Sequence, residues 1–194
     1  MTESLLELAS ALNNHFFNAN KRLFWGYLLT TLALATLVWY QMGQKSSLWR
    51  FLFPKRIWLH PSAKNDYAVW LVNSGLKLFL IVPLLFQAAP IAIWLSQGLE
   101  ALFGEVDLRL SKSEILFAFT LLVFVLDDFS RFLLHYLMHK VPVLWHFHKV
   151  HHSAEVLTPV TVYRIHPVES ALYASRLILS QGLAIGLGFY FFGH

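Results

Sequence analysis

Two short runs of histidine give this chain its clearest chemical signal. His135 and His139 in HYLMH stand four residues apart, and His148, His151 and His152 in HKVHH follow at spacings of three and four from the first. On an α-helix these spacings put side chains on one face within a turn. Each run can then aim several imidazoles at one point, as a transition-metal ion requires. The chain has no cysteine, so any bound metal takes nitrogen or oxygen donors and no thiolate serves as ligand or nucleophile. Imidazole-rich ligation suits zinc, copper or iron, and spacing alone does not choose among them.

The segment 127–169 holds seven of the ten histidines. At 100° per residue Asp128, Arg131, His135 and His139 share a stripe about 80° wide. Asp128 is placed there to ligate a metal or to accept a hydrogen bond from an imidazole and fix which nitrogen faces the ion. His166, in RIHP, is open between an outer partner of the site and a turn residue. His146 lies two residues before His148 and shares no helix face with it, so it reads as an outer or exposed residue. Asp127 reads as the solvated neighbour of Asp128, Glu155 and Glu169 as surface charges or participants, and Trp145 as packing. His15, beside Phe16, and His60, before Pro61, read as interfacial and surface-loop side chains.

Other chemistries fit less well. Haem ligation needs facing histidines deep in separate spans, whereas these lie side by side at helix ends. No HExxH and no GxSxG occurs, which disfavours a zinc protease and a serine hydrolase. Satisfied polar residues on a cytoplasmic helix are the plain alternative, but five histidines within 18 residues favour a metal.

The elements that must position these residues are apolar. Hydrophobic residues make up 57% of the chain, charged residues 13%, and mean hydropathy is +0.53, the composition of an integral membrane protein. A net charge of +4 without a basic, aromatic-interleaved run gives no case for nucleic acid. The acidic start, MTESLLEL, lacks the basic region of a cleaved signal. Leu5, Leu8, Leu12 and Phe16 predict an amphipathic interfacial helix over 1–20. Residues 23–40, with Trp25, Tyr27, Trp39 and Tyr40 at the ends, predict a first span. A basic surface segment, 41–67, follows. Residues 78–98 predict a second span, or a re-entrant pair bent at Pro83 and Pro90.

After a loop over 100–114, residues 115–126 predict a third apolar helix. It should leave the membrane at Asp127, Asp128 and Arg131, since each Asp or Arg at mid-bilayer costs roughly 2.5–3.5 kcal/mol. Pro142 breaks this helix, and a second helical element from Trp145 to His152 carries the second cluster. Residues 177–192, with Gly182, Gly186 and Gly188, predict a last span with close helix contacts. Four crossings put eleven of the fifteen lysines and arginines on one side, which makes the histidine clusters cytoplasmic. The expected fold is all-α: one multi-span helical membrane domain over 1–194, with about four spans and a cytoplasmic histidine-rich helical segment.

From Asp128 to Glu169 the sequence resembles the fatty acid hydroxylase and sterol desaturase superfamily. The match is carried by DF at 128–129, HxxxH as His135 and His139, PxLWxFHxVHHS as Pro142 to Ser153, and RxHPxE as Arg164 to Glu169. The resemblance implies a helical membrane enzyme with two non-haem iron ions, zinc being a possible substitute. Its ligands would be His135, His139, His148, His151 and His152, supported by Asp128 and His166. Such an enzyme hydroxylates or desaturates a fatty acid or sterol-class lipid, using O2 and electrons from an external donor protein, among membrane lipids. The superfamily carries a further HxxHH cluster after RxHPxE, and the chain reaches His194 without it. The 194 residues are therefore expected to be part of a longer protein or a member that has lost activity. The alternative is a non-catalytic membrane module that binds a structural metal or a partner helix.

Overall fold

A computed structural model describes residues 2–76, 88–106 and 108–193, and among them all regular elements are helical. They form two compact units, one of residues 1–78 and 149–166, the other of residues 79–148 and 167–194.

Unit one holds α1 (Thr2–Phe17), α2 (Trp25–Gln41), α3 (Leu48–Leu52), α4 (Lys55–Trp58), α5 (Pro61–Leu76) and a 3-10 turn (Pro159–Tyr163). The apolar run of α2 stops where Gly43, at φ +77°, and Gln44, at φ +53°, turn the chain; a left-handed residue is a common helix stop. The unit's centre is polar. Asp66 of α5 is fully buried and accepts hydrogen bonds from Arg164 Nε and from Thr161 Oγ1, the latter at 2.6 Å. Arg164 Nη2 donates to Ser62 O at 2.5 Å, and Nη1 to Ser153 O at 2.9 Å. A buried ion pair holds only when hydrogen bonds satisfy its remaining polar atoms, and this one is so satisfied. His15 completes an aromatic corner: its Nδ1 lies 3.2 Å from Tyr163 Oη, and its ring meets Trp70 edge-on at 5.6 Å.

Unit two holds α6 (Ala88–Phe103), α7 (Lys112–Lys140), α8 (Pro142–His148) and α9 (Pro167–Phe192). Ser111 starts α7 with a capping box. Its Oγ accepts from Glu114 N at 3.5 Å, and its own N–H donates to Glu114 Oε2 at 2.8 Å, so two otherwise orphaned donors are satisfied. Along α9 the buried positions Ala174, Ile178, Gly182, Gly186 and Tyr190 recur every fourth residue, and Ser180, Ala184 and Gly188 are buried between them, so the helix packs on more than one face. A Cβ on Gly182 would lie 2.7 Å from Ile91 Cγ2, and one on Gly186 would lie 2.8 Å from Ala92 O. The glycines therefore let α9 approach α6 at backbone distance, as expected for a small-residue helix contact.

The helical class holds, but the expected number of spans does not. Among the described residues one helix, Pro167–Phe192, is long and apolar enough to cross a membrane, not four. It begins ten residues earlier than the expected span because Pro167 opens it, at a position where a missing N–H costs nothing. The first and third candidates fail on length or charge. α2 has 17 residues, reaching roughly 25 Å against a hydrocarbon core of roughly 30 Å. α7 runs without a break through Asp127, Asp128 and Arg131, which leaves only 115–126 uncharged. The expected span 78–98 falls partly outside the described residues, as does His194. With one candidate span in place of four, the count of positive charges no longer assigns the histidines to a side of the membrane.

Candidate metal centre

α7 presents His135 and His139 one turn apart near its C-terminal end. Their ring centroids lie 4.8 Å apart. Val141 then ends the helix in an extended conformation, φ −93° and ψ 115°, the region into which a following proline forces its neighbour. Pro142 opens the short helix α8. The bend returns His148 to the first pair, with ring centroids 4.7 Å from His135 and 4.8 Å from His139. The three imidazoles form a nearly equilateral triangle, and their candidate ligand atoms all lie within 4.8 Å of one another. Two nitrogens on a single zinc ion are at most about 4.2 Å apart, so the three rings must draw together to share one ion.

His148 is the anchor of the triangle, 1% exposed. Its Nδ1 lies 2.9 Å from Glu169 Oε1 in the first turn of α9, and Glu169 is 3% exposed. With the carboxylate ionised, Nδ1–H is the donor, and Nε2 is the nitrogen set for a metal. Carboxylate support of this kind fixes the tautomer and raises the basicity of the ligand. Three nitrogen donors, one buried and backed by a carboxylate, fit a borderline transition-metal ion. His139 lies at the exposed side, its ring 5.4 Å from Trp145. Tyr173 Oη stands 3.5 Å from His135 Nδ1, at the limit of a hydrogen bond.

About two turns away along each helix, α7 and α9 are joined by charge. Arg176 Nη1 donates to Asp127 Oδ1 at 2.7 Å, to Asp127 O at 2.9 Å and to Ser130 Oγ at 2.9 Å, and Arg131 Nη2 donates to Asp127 Oδ2 at 3.0 Å. Burial pushes the Asp127 carboxyl up, but the bonds and charges of Arg131 and Arg176 outweigh it and hold it below the usual aspartate value. Asp127 is therefore the structural carboxylate of the pair and not a solvated neighbour. Asp128 is exposed.

Residues 120–193 match the family model of the fatty acid hydroxylases. The match takes in both histidine clusters, the RIHPVE stretch and α9. Comparison with curated proteins and with solved structures finds no match.

Within the matched region the second cluster departs from the expected geometry. α8 stops at His148, and His151 and His152 lie in a turn of unit one, with His152 N–H donating to Lys149 O at 3.1 Å. An i to i−3 bond tightens the chain, so HKVHH does not lie on one helical face. The rings of His151 and His152 are 5.2 Å apart. His166 is half-buried at the end of unit one, next to Ile165, whose carbonyl accepts from Asn73 Nδ2 at 2.6 Å. His146 is exposed and tied to Pro142 O at 2.6 Å, while His60 Nδ1 accepts from Ser62 N at 3.2 Å. Sequence reasoning left Glu169 undecided and did not single out Tyr173 or Arg176. The last residue of RxHPxE was the one available signal for Glu169.

Proposed function

We propose that this chain is the metal-binding part of a membrane-attached, non-haem iron oxygenase acting on a lipid. The observation that carries the proposal is the triangle of His135, His139 and His148, with Glu169 bonded to the buried member. In this reading His151 and His152 supply further ligands, Asp128 and His166 support them, and two iron ions are bound. Iron held there supplies O2 activation, with electrons from an external donor protein, for hydroxylation or desaturation of an unactivated C–H bond in a fatty acid or sterol-class lipid. The residues of the chain have narrower tasks. His148 and Glu169 preset one ligand nitrogen, Trp145 borders His139, and α9 attaches the site to the membrane.

Iron content of the anaerobically purified, iron-supplemented chain tests this reading. Two irons per chain that drop on His139→Ala, with an O2-dependent lipid product, support it. One iron with no product under any donor leaves a structural metal module instead. Full iron content in His139→Ala removes the triangle from the site.

A further inference from the structure

Between Glu7 and Asp66 the chain has no acidic residue but carries seven lysines and arginines. Three of them, Arg50, Lys55 and Arg56, line an open cleft of about 1020 Å³ together with Trp49 and Phe53. All three are exposed, and among the described residues none forms an ion pair with a carboxylate. A second cavity, of about 330 Å³, is lined by Leu28, Leu32 and Ala35 of α2 and by Ile57 and Trp58 of α4. Phe53 and Pro54 line both spaces. The Phe53 ring stacks on Trp49 at 5.5 Å and meets Trp58 at 5.4 Å, so one aromatic row passes from the cationic space to the apolar one.

The cavity lining makes no polar demand of its own. Thr31 Oγ1 donates to Tyr27 O at 2.9 Å, and Thr158 is paired with Thr161. Its natural content is hydrocarbon. The cleft has the opposite requirement, because clustered guanidinium and ammonium groups without counter-charge favour phosphate oxygens. Three cations exceed what a single carboxylate needs. We propose that unit one binds one anionic membrane phospholipid, its phosphate among Arg50, Lys55 and Arg56 and one acyl chain in the cavity between α2 and α4. The site lies wholly within unit one and is independent of the metal reading.

The test uses the full chain in mild detergent, offered phosphatidylglycerol or phosphatidylcholine with the same acyl chains, with lipid phosphorus per chain measured after washing. Retention of one phosphatidylglycerol and about tenfold less phosphatidylcholine is expected. Neutralising the cleft with Arg50→Gln, Lys55→Gln and Arg56→Gln should lower retention about tenfold. Filling the cavity with Ala35→Trp, or with Leu32→Trp if the first variant loses helix content by circular dichroism, should do the same. Loss in the charge variant alone would mean ordinary attraction of a basic surface to anionic lipid. Loss in the cavity variant alone would mean a neutral apolar ligand. Displacement of the lipid by inorganic phosphate would mean a phosphate site without a tail. Any of these three outcomes, or equal retention of the two lipids, overturns the proposal.

Discussion

At the scale of single residues, the centre depends on a pairing that local sequence pattern does not announce. His148 and Glu169 are 21 positions apart, yet both are almost wholly buried and their polar atoms meet at 2.9 Å. Glu169→Gln keeps the shape and an acceptor for Nδ1–H but removes the charge that makes the imidazole a stronger ligand. Its metal affinity should fall about tenfold, toward the lower end of what such supporting carboxylates contribute. Chelator competition measures this, with helix content unchanged as the control; unaltered affinity would leave Glu169 a packing role only. The same scale separates the two adjacent aspartates. Asp127 and Asp128 point about 100° apart on α7; Asp127 is the one paired, locally with Arg131 and across helices with Arg176 of α9.

At the scale of elements, the chain builds its site by ending helices in the right places. The His135–His139 pair was legible because a four-residue spacing on a continuous helix fixes a common face. The second cluster has equally suitable spacing, but α8 ends at His148 and the remaining two histidines enter a turn. Spacing states what a helix would do and not whether the helix continues. The glycines of α9 were legible in the same limited way, as small residues suited to a close contact whose partner was unknown. That partner is α6. Gly186→Ala would drive a methyl group into the Ala92 carbonyl, which is backbone and cannot rotate aside. A destabilisation of about 1–3 kcal/mol is expected, read as a lower midpoint in chemical unfolding. Gly188→Ala meets only the Phe119 ring, a side chain able to move, and should cost less. Equal midpoints for Gly186→Ala and the unaltered chain would contradict the backbone contact.

At the scale of the whole molecule, segments far apart in sequence are joined by buried charge. Asp66 and Arg164 are 98 positions apart and close unit one around an ion pair. Removing one partner strands the other charge, so Asp66→Ala should destabilise the chain by about 3–5 kcal/mol, and pairing it with Arg164→Met should recover much of that loss. Denaturant unfolding of the single and double variants checks this; a single-variant loss below about 1 kcal/mol would show that the pair is not structural. The sequence by itself determined the helical class, the apolar character and the shared face of the α7 histidines, because composition and short-range periodicity act through local geometry. Among the described residues it overcounted the spans, because an apolar run shows that a segment avoids water but not whether its helix continues for the full width of a bilayer. Only the tertiary structure decided that His148 closes the triangle, that Glu169 supports it and that Arg176 joins Asp127 across helices. Those choices depend on which surfaces of distant helices meet, a matter of packing that no local spacing encodes.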